Sequence, residues 1–398
     1  MDAVRSLAVW GGGARAGLLA REKPYEYVFA YAPGAPAESR VSLTMPVRLE
    51  SWLSRDLHPI FQMNLPEGAL LEAIRRAIAK VVGEDDLAIL RVTGGNQVGR
   101  NRFALPEEGV PRIVETPESL EDLLTYPDAR ELFRELVERY ALRSGVSGVQ
   151  PKVLLEAASR GTLAAAGYIV KAEGADFPHL AANEFLCMTA ARRAGLPVPE
   201  LFLSESGGLF VMRRFDLDPD GAPLGFEDLC SLQALGTAQK YTGSYERVAR
   251  TLGDFVSGEH LPAARAQFFA TLVLSVLVRN GDAHLKNFGV LYPFPGAPVR
   301  LAPVYDVVTT AAYLRNDVPA LTLEGSKKWW PRRVLERFAR AHLFLPVGTI
   351  REIFARTAEA VADTRGLVRE RIAQHPGFHE VGVAMLSAWE AGLADLAR

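Results

Sequence analysis

Asn280-Gly281-Asp282-Ala283-His284-Leu285-Lys286-Asn287 decides how the chain is read. It follows directly on residues 263–278, the most apolar helical pattern present, and six of its eight residues are polar, ionisable or glycine. So abrupt an end to a buried helix marks a functional or turn-forming loop. An aspartate with an asparagine five positions later is what phosphoryl transfer on a kinase-like scaffold needs. The carboxylate accepts the proton of an attacking hydroxyl, and the amide oxygen ligates a metal on the phosphates. Downstream, Pro303-Val304-Tyr305-Asp306 ends on a second carboxylate, well placed to be the principal Mg²⁺ ligand. Magnesium prefers oxygen ligands and keeps waters, so one aspartate, one asparagine and phosphate oxygens suffice. Taken alone, Asn-Gly-Asp is equally ordinary turn chemistry, and Tyr-Asp can simply end a strand.

Order along the chain favours the chemical reading. Upstream lie a glycine-containing stretch, Ser144-Gly145-Val146-Ser147-Gly148-Val149-Gln150-Pro151-Lys152, a short strand over 168–171 ending in Lys171, and a helix over 181–194 carrying Glu184. A glycine loop, a strand lysine, a helix glutamate, an Asp-x4-Asn loop and a later Asp come in the order that a protein-kinase fold requires. Lys171 would reach the α- and β-phosphates and Glu184 would hold it by an ion pair. The other reading of Lys171 is a lysine that snorkels to solvent. Gly148 and its neighbours could bring backbone N–H groups close to phosphate, although this is not the Gly-Lys-Ser/Thr arrangement of a P-loop. His284 shapes the loop through a hydrogen bond, contacts phosphate, or merely fills space. Lys286 is either a cation beside the transferred phosphate or a solvated loop lysine.

Composition sets the frame for these motifs. A length of 398 residues corresponds to about 2.7 domain equivalents. With 48% of residues hydrophobic and 23% charged, general disorder is excluded. Lys plus Arg number 45 against 47 Asp plus Glu, a net charge of -2, which argues against a strongly cationic nucleic-acid coat. The two cysteines, Cys187 and Cys230, have no partner at metal-ligand spacing and read as buried free thiols, in keeping with a reducing cytoplasm. The first residues hold no long apolar run with a cleavage site after it. The helix over 263–278 carries Arg265 and Gln267 and is too short for a typical span, so no membrane association is expected.

Residues 7–10, a glycine turn at 11–13 and residues 25–31 predict a hairpin or small meander, then a strand over 41–45 and a helix over 70–81. Residues 1–105 therefore form an N-terminal α+β accessory subdomain. The Pro- and Glu-rich stretch 106–117 is a junction, with Thr116 the expected cap of the next helix and Pro117 its first residue. Residues 106–225 hold linker helices, including one over 127–140, and a region like a kinase N-lobe. From 226 to 398 the pattern is mainly helical. The expected fold is α+β: a bilobal, protein-kinase-like body with a mainly helical C-terminal lobe.

These motifs together resemble the HipA family of bacterial serine/threonine kinases, the toxin half of a toxin–antitoxin pair. Met45-Pro46, Phe61-Gln62-Met63-Asn64-Leu65-Pro66-Glu67-Gly68, Ser147 to Lys152, Asn183-Glu184, Arg214-Phe215-Asp216, Glu227-Asp228-Leu229-Cys230, Lys240-Tyr241, Gly281 to Asn287 and Tyr305-Asp306 carry the likeness, which spans nearly the whole chain. The resemblance implies Asp282 as catalytic residue, with Asn287 and Asp306 as magnesium ligands. It implies an ATP site drawn from Ser147, Gly148, Val149, Gln150, Lys152, Lys171, Glu227, Asp228, Leu229, His284, Lys286, Asn287, Tyr305 and Asp306. It also implies a cytoplasmic protein kinase acting on a protein substrate such as an aminoacyl-tRNA synthetase. Its restraint would come from a HipB-like helix-turn-helix antitoxin, through which operator DNA is met. Relatives autophosphorylate a serine in or before the glycine loop. Here Ser147 matches one such position, Gly145 stands at the other, and Ser144 lies beside it, so Ser147 and then Ser144 are the candidates. A small-molecule phosphotransferase shares a similar catalytic loop, and a non-catalytic kinase-like regulator shares the fold; both stay open at this point.

Overall fold

The computed structural model describes residues 4–23, 25–79, 83, 85–111, 119–141, 161–164 and 167–397. Ser144, Ser147, Gly148, Val149, Gln150 and Lys152 lie outside the described residues, as do Thr116 and Pro117. The chain divides into two compact units, Met1–Ala175 with Ser204–Thr237 and Leu291–Pro298, and Asp176–Leu203 with Ala238–Val290 and Val299–Arg398.

The first unit opens with strands β1 (Ser6–Gly11), β2 (Ala14–Lys23), β3 (Glu26–Tyr31), β4 (Trp52–Ser54) and β5 (Asn101–Ala104), ordered β4-β3-β2-β1-β5. Each neighbouring pair is antiparallel, with Leu7 opposite Leu19 and Val9 opposite Phe103. Successive strand side chains point to opposite faces, so Leu7, Val9, Leu19, Phe29 and Phe103 are buried together. Phe61 closes that core, with ring centroids 5.3 Å from Phe29 and 5.9 Å from Phe103, both edge-on. Helix α1 (Gly68–Ile78) buries Leu70, Ala73, Ile74, Ala77 and Ile78, one stripe at helical spacing, as the sequence predicts. Helix α2 (Asp86–Thr93) is capped by the Asp85 carboxylate, which accepts from the Ala88 N–H.

Three expectations change here. The meander has a third long strand, β2, where only a turn and one further strand are expected. Residues 41–45 are not a strand but a tight turn closed by a single Ser42–Met45 bridge. Turning the chain lets Ser42 and Leu43 both reach the carboxylate of Glu227. The helix after the junction, Leu120–Thr125, is capped by Ser119, which forms a reciprocal capping box with Asp122, and not by Thr116.

Helix α3 (Ala129–Ala141) precedes a second antiparallel sheet of β6 (Gly161–Ala164), β7 (Tyr168–Ala172) and β8 (Leu209–Arg213). Lys171 sits near the end of β7, opposite Phe210. Strand β9 (Gly225–Asp228) follows in the same unit.

The second unit is mainly helical: α4 (Leu180–Arg193), α5 (Tyr245–Phe255), α6 (Leu261–Leu277), α7 (Arg332–His342), α8 (Val347–Gln374) and α9 (His379–Ala397). Helix α6 is apolar on every side from Phe268 to Leu277 and is buried throughout that length, packed by α8 and α9. Gly392 lets α9 lie directly on the last turn of α6, where an added Cβ would come within 2.1 Å of the Leu277 carbonyl oxygen. No helix among the described residues is long and apolar enough to cross a membrane. Cys187 and Cys230 are free and buried, as expected.

Candidate active site

In the second unit, helix α6 ends at Val278, and Arg279 takes a left-handed conformation, φ 55°. This residue turns the chain sharply into the octet. Its guanidinium is buried, lies 4.9 Å from the Trp329 ring and donates to Asp395 of α9 at 2.5 Å. The Asn280 side-chain oxygen accepts from the Asp282 N–H at 3.1 Å, the local turn that presents the aspartate. Between them the Gly281 N–H donates to Thr310 Oγ1 at 2.6 Å. A Cβ at Gly281 would lie 2.2 Å from the Asp317 carboxylate, so no other residue fits without displacing that acid. Asp282 is half-buried, and its Oδ1 accepts from the Tyr241 hydroxyl at 2.7 Å.

The loop then closes on itself. The His284 N–H donates both to the Asp282 carbonyl, at 2.7 Å, and to Asn287 Oδ1, at 2.9 Å. The Leu285 N–H donates to the Lys240 carbonyl at 3.1 Å, and the Tyr245 hydroxyl of α5 to the Ala283 carbonyl at 3.0 Å. His284 is 5% exposed, with the Tyr241 ring edge-on at 5.0 Å. Such burial fits a side chain that shapes the loop or fills space.

Asn287 and Asp306 come together, the amide donating from Nδ2 to Asp306 Oδ2 at 2.5 Å. Asp306 has φ 66°, a left-handed conformation costing a non-glycine residue about 1–2 kcal/mol. The segment just downstream holds it there. The Thr309 N–H and carbonyl bond the two ends of the Asn183 amide at 2.8 and 3.0 Å, and Trp389 Nε1 of α9 donates to Thr309 Oγ1 at 2.7 Å. The Tyr305 hydroxyl donates to the Lys286 carbonyl at 2.8 Å. Asn280, Asp282, His284, Asn287, Tyr305 and Asp306 thus form one hydrogen-bonded frame within this unit.

Asn287 Oδ1, which accepts from the His284 N–H, and the Asp306 carboxylate, which meets the Asn287 amide nitrogen, are oxygen donors of the kind Mg²⁺ takes. Each retains acceptor capacity beyond the bonds named, and both are hard donors. Among the described residues there is no cluster of three or more His, Cys, Asp or Glu side chains able to cage an ion. Two protein oxygens completed by phosphate and water is the magnesium pattern, not that of zinc or calcium.

Sequence reasoning passed over Asp317. Burial pushes its carboxyl above the usual range, with the charge of Asp282 adding to the effect and Thr310 opposing it. No spacing pattern points to this acid. The glycine immediately before Asp282 is the nearest signal, since it exists to admit a bulky neighbour.

In the first unit, Lys171 is half-buried on β7, its Nζ 5.9 Å from the centre of the Phe210 ring. Glu227 is fully buried, and its side chain is taken up by protein. Oε2 accepts from Ser42 Oγ at 2.6 Å, while Oε1 accepts from the Leu43 N–H at 2.7 Å and the Tyr292 hydroxyl at 2.6 Å. The Asp228 carboxylate caps the short helix Leu229–Leu232 through the Ser231 N–H. What this segment can offer a ligand is therefore its main chain.

Burial raises the Glu227 carboxyl from 4.5 to about 7, against the lowering effect of its hydrogen bonds. Between these values the native state holds a proton that the unfolded chain has released. The associated stability is full below about pH 4.5 and is lost as pH rises through 7, a difference on the order of 3 kcal/mol. Glu227→Gln cannot titrate. Urea unfolding of the variant is expected to lack this part of the decline between about pH 4.5 and 7, and an unchanged pH slope would contradict the assignment.

Residues 7–104 match the HipA N-terminal domain and residues 144–365 the HipA-like C-terminal domain. The chain belongs to the HipA family. A Sinorhizobium fredii protein named "Putative kinase Y4dM" is 34% identical over 212 residues, 47% of this chain and 50% of its own length. A second from the same organism, "Putative kinase Y4mE", is 29% identical over 338 residues, 78% of each chain. The chain thus spans half the length of the first relative. Among solved structures, the HipA chain of the Shewanella oneidensis HipA, HipB and operator DNA complex aligns with a TM-score of 0.67 at 16% identity, covering 98% of this chain and 97% of that one. The α+β fold is shared, with an N-terminal sheet and a helical C-terminal region.

Proposed function

We propose that the protein is an ATP- and Mg²⁺-dependent kinase that phosphorylates serine or threonine on a protein. The observation that carries this reading is the pairing of Asn287 with Asp306 beside a loop that presents Asp282. Asp282 takes the proton of the acceptor hydroxyl as its oxygen bonds to the γ-phosphorus and the bond to the bridging oxygen breaks, leaving ADP. Asn287 and Asp306 hold magnesium, which when bound neutralises charge on the phosphates. Lys171, supported by Glu184, positions the phosphates, and Lys286 adds positive charge beside them. Ser147, Gly148, Val149, Gln150 and Lys152 cover the nucleotide, with His284, Tyr305 and the main chain of Glu227, Asp228 and Leu229 completing its site. Ser147, then Ser144, is the autophosphorylation site, where added negative charge opposes ATP binding.

Residues 1–105 serve partner binding, residues 106–225 the nucleotide and residues 226–398 catalysis. Family membership supports a toxin role in the cytoplasm, with a HipB-like helix-turn-helix antitoxin as partner. The DNA-bound assembly of the Shewanella chain supports operator contact through that partner. An aminoacyl-tRNA synthetase is the proposed substrate. Incubating the full chain with γ-labelled ATP, Mg²⁺ and cell lysate is expected to label phosphoserine or phosphothreonine in a discrete protein. Label found only on small molecules would replace this reading with a small-molecule phosphotransferase.

A further inference from the structure

We infer that Tyr241 is the positioning residue for Asp282: its hydroxyl pins one carboxylate oxygen so that the other faces the acceptor. The inference rests on the kinase reading of Asp282. Tyr241 is 46% exposed, so filling a core does not account for an aromatic side chain here. Its hydroxyl nevertheless donates to Asp282 Oδ1 at 2.7 Å. The ring is held in place for that bond. It meets His284 edge-on at 5.0 Å, and the adjoining Lys240 carbonyl receives the Leu285 N–H at 3.1 Å, tying the tyrosine's own backbone to the octet. The Tyr241 carbonyl in turn accepts from Lys327 Nζ at 3.5 Å.

An aspartate carboxylate turns easily about its last torsion, with a broad two-fold preference. A base must present one oxygen within hydrogen-bond reach of the proton it removes, so unrestrained rotation lowers the fraction of productive encounters. A charge-assisted donor on Oδ1 fixes the torsion. Oδ2 then receives the acceptor's proton while the acceptor oxygen bonds to the γ-phosphorus and ADP leaves. The tyrosine keeps its own proton throughout. Tyr241 is exposed enough for its ring to meet the acceptor as well.

The test compares the full native chain with Tyr241→Phe and Tyr241→Ala. Four quantities are read: Mg-ATP affinity by calorimetry, melting temperature, and kcat and KM, the last two for both ATP hydrolysis and transfer to dephosphorylated casein. Tyr241→Phe is expected to lose about tenfold in kcat, the loss of one charge-assisted hydrogen bond, with ATP affinity, KM for ATP and melting temperature unchanged. Tyr241→Ala is expected to lose at least as much in kcat and also to raise KM for casein, because the exposed ring is gone. Native kcat in Tyr241→Phe would overturn the inference. So would a fall in ATP affinity and melting temperature that accounts for the lost rate, or mass-spectrometric detection of phosphate on Tyr241 itself. If the native chain binds Mg-ATP but neither hydrolyses it nor labels casein, the kinase reading fails and the inference with it. That outcome is distinguishable because it appears before any substitution is made.

Discussion

Asp282→Asn is expected to cut phosphate transfer by about three orders of magnitude while leaving Mg-ATP affinity near native, measured by single-turnover labelling and calorimetry. The amide removes the proton acceptor but preserves the shape. It can still accept from the Tyr241 hydroxyl through its oxygen, and the turn made by Asn280 uses only the main-chain N–H of residue 282. Asp306→Ala is expected to behave differently. Half of the proposed magnesium pair disappears, so metal-dependent nucleotide affinity falls together with rate. Removal of this carboxylate also takes away the partner of Asn287 Nδ2. A separation of effects, with rate alone lost at one aspartate and rate plus metal-dependent affinity lost at the other, is what distinguishes a base from a ligand. Equal phosphate transfer by the native chain and the Asp282→Asn variant would sink the base assignment.

The octet and Asp306 were legible because their chemistry is local. An apolar helix ends, six polar or glycine residues come next, and a carboxylate returns after a short apolar run. Helices announced themselves by stripes such as Leu70, Ala73, Ile74 and Ala77. Strand β2 was harder. It has Gly17 near its middle and Arg21-Glu22-Lys23 at its end, so the alternation that marks a half-buried strand is broken. Residues 41–45 misled for the opposite reason. Val41 and Met45 are buried like strand residues, yet the chain turns between them so that Ser42 and Leu43 meet an acid far along the sequence.

The frame around the site was illegible for a more general reason. Tyr241, Asn183, Asp317 and Trp389 reach the loops across tens to more than a hundred residues, through one or two hydrogen bonds each that impose no period on the chain. A pair such as Lys240-Tyr241 can be noticed in a sequence. That its hydroxyl ends on Asp282 depends on the path taken by α5 and α6. Helix α9 illustrates the same point: Trp389, Gly392 and Asp395 are about one turn apart and touch Thr309, Leu277 and Arg279 respectively. Read along the helix they look like an ordinary face. In space they brace both loops of the proposed site from behind.

Asp216→Ala is expected to destabilise the first unit by about 3–5 kcal/mol, the cost of removing one partner from a buried ion pair. Arg214 and Asp216 have no side-chain exposure and are joined at 2.6 Å. A second bond runs from Arg214 Nε to Asp216 Oδ1 at 3.0 Å, making the pair bidentate. The carboxylate also accepts the Gly99 N–H at 2.7 Å, so three donors lose their acceptor at once. Arg102 makes matters worse. It is 5% exposed, and burial together with the nearby Arg214 lowers its pKa to about 10, an effect that the charge of Asp216 opposes. Without Asp216, Arg102 keeps the unfavourable charge of Arg214 and loses the carboxylate that offsets it. Arg214 would keep its bonds to the Gln97 carbonyl and Asn96 Oδ1, which satisfy hydrogens but cancel no charge. Asp216→Asn retains an acceptor for Gly99 and should cost less than alanine, while Arg214→Met with Asp216→Leu removes both charges and should cost less than Asp216→Ala alone. Urea unfolding of these variants ranks the terms. If Asp216→Ala is no less stable than the double variant, the loss comes from packing and not from the stranded charges.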